Sequence, residues 1–165
     1  MTGRALALDL ASRYGFAAET PQGVDHGSLR IGREGMDMGE RLHRFEVHFT
    51  RFLVPRYRPT EVLIEAPWVS GDDSATHFLL GLVGVARMLC ARHGLPTRTI
   101  AVPDLREKLT GIRGGTKEMC ERVVRGCGFT PVDDNAADAL ALLLLRRGWH
   151  KRLQQPGAEI VRLAG

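Results

Sequence analysis

Hydrophobic residues in the first part of the chain form short runs of the kind that build strands. Residues 4–12 are almost wholly apolar and predict a strand that is buried on both faces. Segments 13–20 and 24–31 follow, separated by the turn-forming residues Pro-Gln-Gly, and predict two more strands. The short links between these three segments predict an antiparallel meander.

Beyond this meander the apolar residues adopt helical spacing, interrupted by two further strand-like runs. Residues 37–54 predict an amphipathic helix that ends at Pro55. The aliphatic runs 61–67 and 97–102 predict strands, and the long apolar segment 74–90 between them predicts a helix. The remaining predicted helices cover residues 103–111, residues 116–125 and the segment that begins near residue 133.

This order of elements predicts an α/β fold: a five-stranded mixed sheet flanked by helices on both faces. We expect one domain over residues 1–150 and a loosely attached tail over 151–165. No uninterrupted apolar run approaches the roughly 18 residues of a membrane span, and the N-terminus lacks a signal-peptide pattern. The sequence therefore predicts a cytoplasmic protein with no membrane association. Its three cysteines, without metal-binding spacing, predict buried, reduced thiols: Cys90, Cys120 and Cys127.

Positive charge is modest in total but unevenly distributed. The formal net charge is +4, and residues 87–125 contain nine Lys or Arg against four Asp or Glu. Such clustering favours a polyanionic ligand such as nucleic acid, although a solvated basic face would give the same pattern. Further basic residues lie near the C-terminus: Arg146, Arg147, Lys151 and Arg152.

Three acidic residues occupy otherwise apolar segments, where loss of hydration is costly. Asp9 lies inside the first strand, Glu65 ends the fourth, and Asp138 lies near the start of the last helix. Any one of them is explained by a paired core acid. Converging carboxylates, however, repel one another unless a cation such as Mg²⁺ or Mn²⁺ neutralises them. Two such ions roughly 4 Å apart would support phosphodiester hydrolysis.

Four segments together resemble a known family. Residues 5–12 (ALALDLAS), 62–68 (VLIEAPW), 105–118 (LREKLTGIRGGTKE) and 133–142 (DDNAADALAL) resemble, in order, the four motifs of RuvC-type Holliday junction resolvases. The resemblance implies an RNase H-like fold, a homodimer, two Mg²⁺ or Mn²⁺ ions per active site, and cleavage of branched DNA. The divergence of the chain suggests a phage or prophage relative.

The resemblance also implies roles for individual residues. Asp9, Glu65 and Asp138 match acids of the family's metal site, and Lys117 matches a basic residue near the scissile phosphate. Trp68 matches an aromatic residue that contacts unstacked bases at the junction centre, although a Trp that fills a gap between strand and helix is the alternative.

The sequence departs from the family pattern at the fourth metal position. The residue three before Asp138 is Asn135, which carries no charge, whereas Asp134 lies one helical turn before Asp138 and is our preferred ligand. Asp133 is expected to be a helix cap or solvated. Arg113 stands where the family often has glycine, and we expect it to contact DNA.

Segment 74–90, with Gly81 and Gly84, is apolar on several sides and predicts a dimer interface, with burial inside the monomer as the alternative. The leading functional hypothesis is a metal-dependent endonuclease that cleaves Holliday junctions. The alternatives are an RNase H-like nuclease acting on RNA or other branched DNA, a non-catalytic junction-binding protein, and a protein whose acids only support the core. The last predicts that Asp9→Asn costs stability.

Overall fold

The computed structural model describes residues 3–33, 35–68 and 74–148. The predicted tail, with Lys151 and Arg152, lies outside the described residues, as do the last two positions of the predicted domain. The strands are β1 (Ala5–Asp9), β2 (Arg13–Thr20), β3 (Gly23–Arg30), β4 (Glu61–Glu65) and β5 (Thr97–Ile100). The helices are α1 (Met38–His48), α2 (Val54–Tyr57), α3 (Ser74–Arg92), α4 (Val102–Thr110), α5 (Lys117–Gly126) and α6 (Asp134–Arg147).

The five strands form one mixed sheet in the order β3-β2-β1-β4-β5. β1 is antiparallel to β2 and parallel to β4, which in turn is parallel to β5. Leu8 of β1 pairs with Ile64 of β4, so the next residues, Asp9 and Glu65, end neighbouring strands at the same edge. The predicted five-stranded mixed sheet is therefore confirmed, and its first and fourth strands are neighbours.

Each face of the sheet has its own hydrophobic core. On one face, Leu6 and Leu8 of β1 pack in a core with residues of α1 and α3 such as Phe45 and Leu82. On the other face, the intervening small residues of β1, including Ala7, pack in a core with α4, α5 and α6. Alternation along one strand thus places bulky side chains towards α1 and α3, and leaves α6 close to the sheet.

The helix predicted to end at Pro55 continues past it. A π-helical segment, Phe49–Leu53, follows α1, and the Val54 N–H donates to the carbonyl oxygen of Phe49. Pro55 then occupies the first turn of α2, where the N–H that proline lacks has no helical partner to lose. The helix ends instead at Arg58, whose φ is 46°. The prediction of an end at Pro55 was wrong because the π-helical turn restarts the hydrogen-bond pattern.

Helix α3 has apolar residues on both its inner and its outer side. It is long and apolar enough, by length and composition alone, to cross a membrane, although the sequence predicted no such segment. Phe78 and Leu82 pack in the core, as the burial alternative predicted. Leu80 and Met88, in contrast, are 46% and 47% exposed. Among the residues that the structure describes, one side of α3 is therefore covered and another is exposed.

The end of α6 is anchored at the opposite edge of the sheet from Asp9. Arg146 forms an ion pair with Glu61, at 2.6 Å, and donates to the carbonyl oxygen of Gly3. Arg147 pairs with Glu19, which is 3% exposed and also accepts the Ala5 N–H. The sequence grouped both arginines with the charge available to a polyanion, whereas the structure engages them in ion pairs of the domain. The three cysteines are free and buried, as predicted.

Candidate active site

Two half-buried carboxylates without hydrogen-bond partners end β1 and β4. Within the described residues, no side-chain hydrogen bond or ion pair reaches Asp9 or Glu65. Burial, followed by the charges of Glu65 and Asp138, raises the pKa of Asp9 to about 8. Burial, followed by the charge of Asp138, raises the pKa of Glu65 to about 7. Ionising both acids is therefore costly unless a cation lies beside them.

Helix α6 brings two more acids, Asp134 and Asp138, to the same edge of the sheet. Asp133 is the N-cap of α6 and accepts the Ala136 N–H at 2.9 Å, so the predicted cap is confirmed. One turn of helix separates Asp134 from Asp138, which places both on one face. The Nζ of Lys117 lies 3.0 Å from Asp138 and 3.5 Å from Asp134. The basic residue and the two helical acids are thus one cluster.

Lys117 is placed by the start of α5. Thr116 is the N-cap of this helix, and its hydroxyl accepts the Met119 N–H. Burial acts to lower the pKa of Lys117, but its contacts with Asp138 and Asp134 outweigh burial and raise it. Burial raises the pKa of Asp138 although Lys117 opposes that change. Lys117 therefore stays cationic between the acids of α6.

The acids lie close enough to raise one another's pKa values, but they do not surround a common point. Among the residues that the structure describes, no three acidic, His or Cys side chains converge as closely as metal ligands do. The ammonium group of Lys117 instead pairs with Asp134 and Asp138. The donor set is nevertheless all carboxylate oxygen, the chemistry preferred by Mg²⁺ and Mn²⁺ and not by zinc.

The two candidates for the fourth position differ in their surroundings. The side chain of Asp134 is 73% exposed and shares Lys117 with Asp138. The backbone carbonyl of Asn135, by contrast, lies directly over Gly15 of β2. Of the two, Asp134 is thus the residue whose side chain contacts the cluster.

An open groove of about 870 Å³ begins at Glu65 and extends away from the acids. Trp68 lines it and is 74% exposed, so this side chain does not fill a gap between strand and helix. Arg113 lines the same groove, on the loop between α4 and α5. Both predicted DNA-contacting residues therefore open onto one surface beside the acids.

Arg106 of α4 also lines this groove, and the sequence analysis did not single it out. Its positive charge acts to lower the pKa of Glu65 and of Asp138, although burial outweighs it at both. The signal available was its place within the segment 105–118, eleven residues before Lys117. Spacing alone did not show that α4 turns this side chain towards the acids.

Hydrogen bonds of the Thr110 hydroxyl hold the start of the loop that carries Arg113. The Thr110 hydroxyl donates to the Arg106 carbonyl at 2.7 Å and accepts the Ile112 N–H at 3.2 Å. Gly114 has a φ of 76°, a conformation that favours glycine. These contacts fix the backbone on both sides of Arg113, which lines the groove.

Comparison with known proteins identifies the family, although no family model matches the sequence. Crossover junction endodeoxyribonuclease RuvC of Ruegeria pomeroyi is 31% identical over 115 residues, covering 67% of this chain and 68% of the relative. The RuvC of Anaeromyxobacter dehalogenans is 32% identical over 142 residues, covering 73% and 76%. The chain belongs to the RuvC family.

Solved structures show that this RuvC-family chain has the RuvC fold. Thermus thermophilus RuvC in complex with a Holliday junction substrate gives a TM-score of 0.76 at 18% identity, covering 89% of this chain and 94% of that one. The yeast mitochondrial Holliday junction resolvase Ydc2 gives 0.57 at 12% identity, covering 93% and 82%. The predicted family and the RNase H-like fold are thus confirmed.

Proposed function

We propose that this RuvC-family chain is a crossover junction endodeoxyribonuclease that cleaves four-way DNA junctions with the help of divalent metal ions. Curated relatives carry that enzyme's name, and a structurally similar RuvC is bound to a Holliday junction. One observation carries the proposal. Asp9 and Glu65 lie at one sheet edge without a hydrogen bond or ion pair from a described side chain, beside the Lys117 cluster and a groove with an exposed Trp68.

The acids are suited to hold two Mg²⁺ or Mn²⁺ ions. Asp9 and Glu65 offer oxygens that accept no hydrogen bond from a described side chain, and Asp138 and Asp134 complete an oxygen-only set. Bound ions of this kind activate a water molecule and stabilise the leaving oxygen of a phosphodiester. Asp9 and Glu65 must lose their protons to take part, because only the ionised carboxylates are strong ligands.

Lys117 serves the reaction once the acids of α6 turn to a cation. Its ammonium group now neutralises Asp134 and Asp138. With a cation bound to Asp134 and Asp138, Lys117 would be available to offset the negative charge that develops on the scissile phosphate.

The groove is proposed to bind the DNA that flanks the cut. The exposed Trp68 ring offers a stacking surface for a base that is unpaired at the junction centre. Arg106 and Arg113 line the same groove and are suited to bind phosphates on either side of that base. Affinity should therefore fall steeply with salt concentration, as counterion release requires.

The uncovered side of α3 is proposed to form a homodimer. Leu80 and Met88 are exposed there, and a Cβ on Gly84 would meet no atom of the described residues within 4 Å. A second copy packed on this face would bury these apolar groups and bring two active sites into a two-fold pair. Two-fold symmetry matches a four-way junction, in which each site would cut one strand.

Cleavage of a synthetic four-way junction in Mg²⁺ or Mn²⁺ tests the proposal directly. We expect paired, symmetric cuts in the junction and little cutting of linear duplex, and none by Asp9→Asn or Glu65→Gln. An RNA–DNA hybrid and a three-way junction in the same panel separate the other nuclease readings. No cleavage with either metal, or cleavage that survives in Asp9→Asn, would show that the proposal is wrong.

The same preparation distinguishes the two candidates for the fourth position. Removing a charged ligand should weaken Mn²⁺ binding at least tenfold, on the scale typical of metal sites. We therefore expect that loss in Asp134→Asn and a change within about twofold in Asn135→Ala. The reverse order would assign the position to Asn135.

A further inference from the structure

The start of α6 rests on the sheet at one glycine of β2. A Cβ added to Gly15 would lie 1.8 Å from the carbonyl oxygen of Asn135 and 2.2 Å from its carbonyl carbon. Both atoms belong to backbone, so no side-chain rotation relieves the clash. Gly15 is not among the glycines with positive φ, and glycine is therefore needed here for space.

This glycine lies in the same cross-strand row as a catalytic candidate. Asp9 of β1 pairs with Gly15 of β2, and Gly15 pairs with Ser28 of β3. Ser28 in turn donates a hydrogen bond to the carboxylate of Asp133, the N-cap of α6. The first turn of α6 thus meets the sheet at Gly15 and at Ser28, on the row that ends in Asp9, and Arg13 of β2 lies 3.8 Å from the Asp133 carboxylate as well.

The other end of α6 is held as well. Arg146 binds Glu61 and the carbonyl of Gly3, far from Asp9 along the strands. A helix anchored at its C-terminus responds to pressure at its N-terminus by tilting, and the displacement is greatest in its first turns. Those turns carry Asp134 and Asp138.

We propose that Gly15 and Ser28 are positioning residues, which set the height of the first turn of α6 above the sheet and so the separation of Asp138 and Asp134 from Asp9. Restoring ordinary contact at a Gly15 Cβ requires a displacement of about 1.5 Å. Metal–ligand distances tolerate only about 0.2 Å. Metal affinity, more than folding, should therefore report the change. This inference rests on the proposed metal-dependent function.

The test is the affinity of the folded, metal-free protein for Mn²⁺, measured by electron paramagnetic resonance or calorimetry. Gly15→Ala should bind Mn²⁺ about tenfold more weakly or worse, the usual cost of disturbing groups that orient ligands. Gly27→Ala is the matched control, since its Cβ would meet only the Phe16 ring, at 3.2 Å. We expect its dissociation constant to stay within about twofold of wild type.

If Gly15→Ala does not fold, Ser28→Ala tests the inference instead, because it removes the hydrogen bond to Asp133, leaves the Arg13 ion pair in place and adds no atom. We expect weaker Mn²⁺ binding, restored in Ser28→Thr, with junction affinity in metal-free buffer unchanged in every variant. Wild-type Mn²⁺ affinity in Gly15→Ala and Ser28→Ala, even with a lowered melting temperature, would overturn the inference. Absence of Mn²⁺ binding by wild type itself would instead remove the proposed function.

Discussion

Replacing Asp9 by asparagine is expected to stabilise the metal-free protein while abolishing the proposed activity. Burial and the charges of Glu65 and Asp138 raise the pKa of Asp9 from 3.8 to about 8. The folded chain therefore holds this proton more tightly than the unfolded chain does. As pH rises from 3.8 to about 8, the folded state loses stability, because Asp9 ionises more easily in the unfolded chain. Asparagine does not ionise and therefore removes this pH-dependent loss of stability.

The pKa values bound the size of the effect. One pKa unit corresponds to about 1.4 kcal/mol, so a rise from 3.8 to about 8 sets an upper limit of about 6 kcal/mol. Rearrangement of the site and entry of water lower the real cost of a buried charge. We expect Asp9→Asn to gain about 1–3 kcal/mol at pH 8.5 and much less at pH 4, close to the unfolded pKa of 3.8. In a domain of this size the gain raises the melting temperature by about 3–10 °C.

Thermal unfolding in EDTA at the two pH values measures this difference. Asp25→Asn is the matched control: although burial acts to raise the pKa of Asp25, hydrogen bonds from Tyr57 and Arg56 lower it, so its loss should destabilise the protein at pH 8.5. Lower stability of Asp9→Asn at pH 8.5 would refute the reasoning and favour an acid that only supports the core. Saturating Mg²⁺ should reverse the order, since ion at 100 times its dissociation constant stabilises wild type by about 2.7 kcal/mol.

Three further predictions concern the cluster, the groove and the anchor of α6. Lys117→Ala should lower the single-turnover cleavage rate about 10²–10³-fold with a much smaller change in junction affinity, and equal losses would argue against its role at the phosphate. Trp68→Ala should leave the melting temperature almost unchanged, because the side chain is 74% exposed, yet reduce the unstacking of a junction base reported by 2-aminopurine fluorescence, with Trp68→Phe retaining it. Arg146→Ala should cost about 2 kcal/mol in urea unfolding, since it removes the partner of Glu61 and one of the two arginines that pair with the buried Glu19, and should leave the salt dependence of junction binding unchanged. A shallower salt dependence would show that Arg146 contacts phosphate.

Local patterns in the chain were enough to locate most elements and caps. Segment 13–20 is β2 as predicted, and Thr116 and Asp133 cap the helices that follow them. These features depend on neighbours within a few residues, which the sequence displays directly. Pro55 was misread because its effect depends on the π-helical turn before it, which has no pattern of its own.

The sequence by itself determined which residues are candidates for the chemistry: a charge within an apolar segment is visible in one dimension, and so are the order and spacing by which Asp9, Glu65, Lys117 and Asp138 resemble the motifs of the RuvC family. Only the tertiary structure decided how they meet. Three contacts join elements that are distant along the chain. Lys117 contacts Asp134, the charge of Arg106 acts on Glu65, and the first turn of α6 packs on Gly15. Such contacts depend on how closely helix and sheet approach, a distance set by the packing of the whole core.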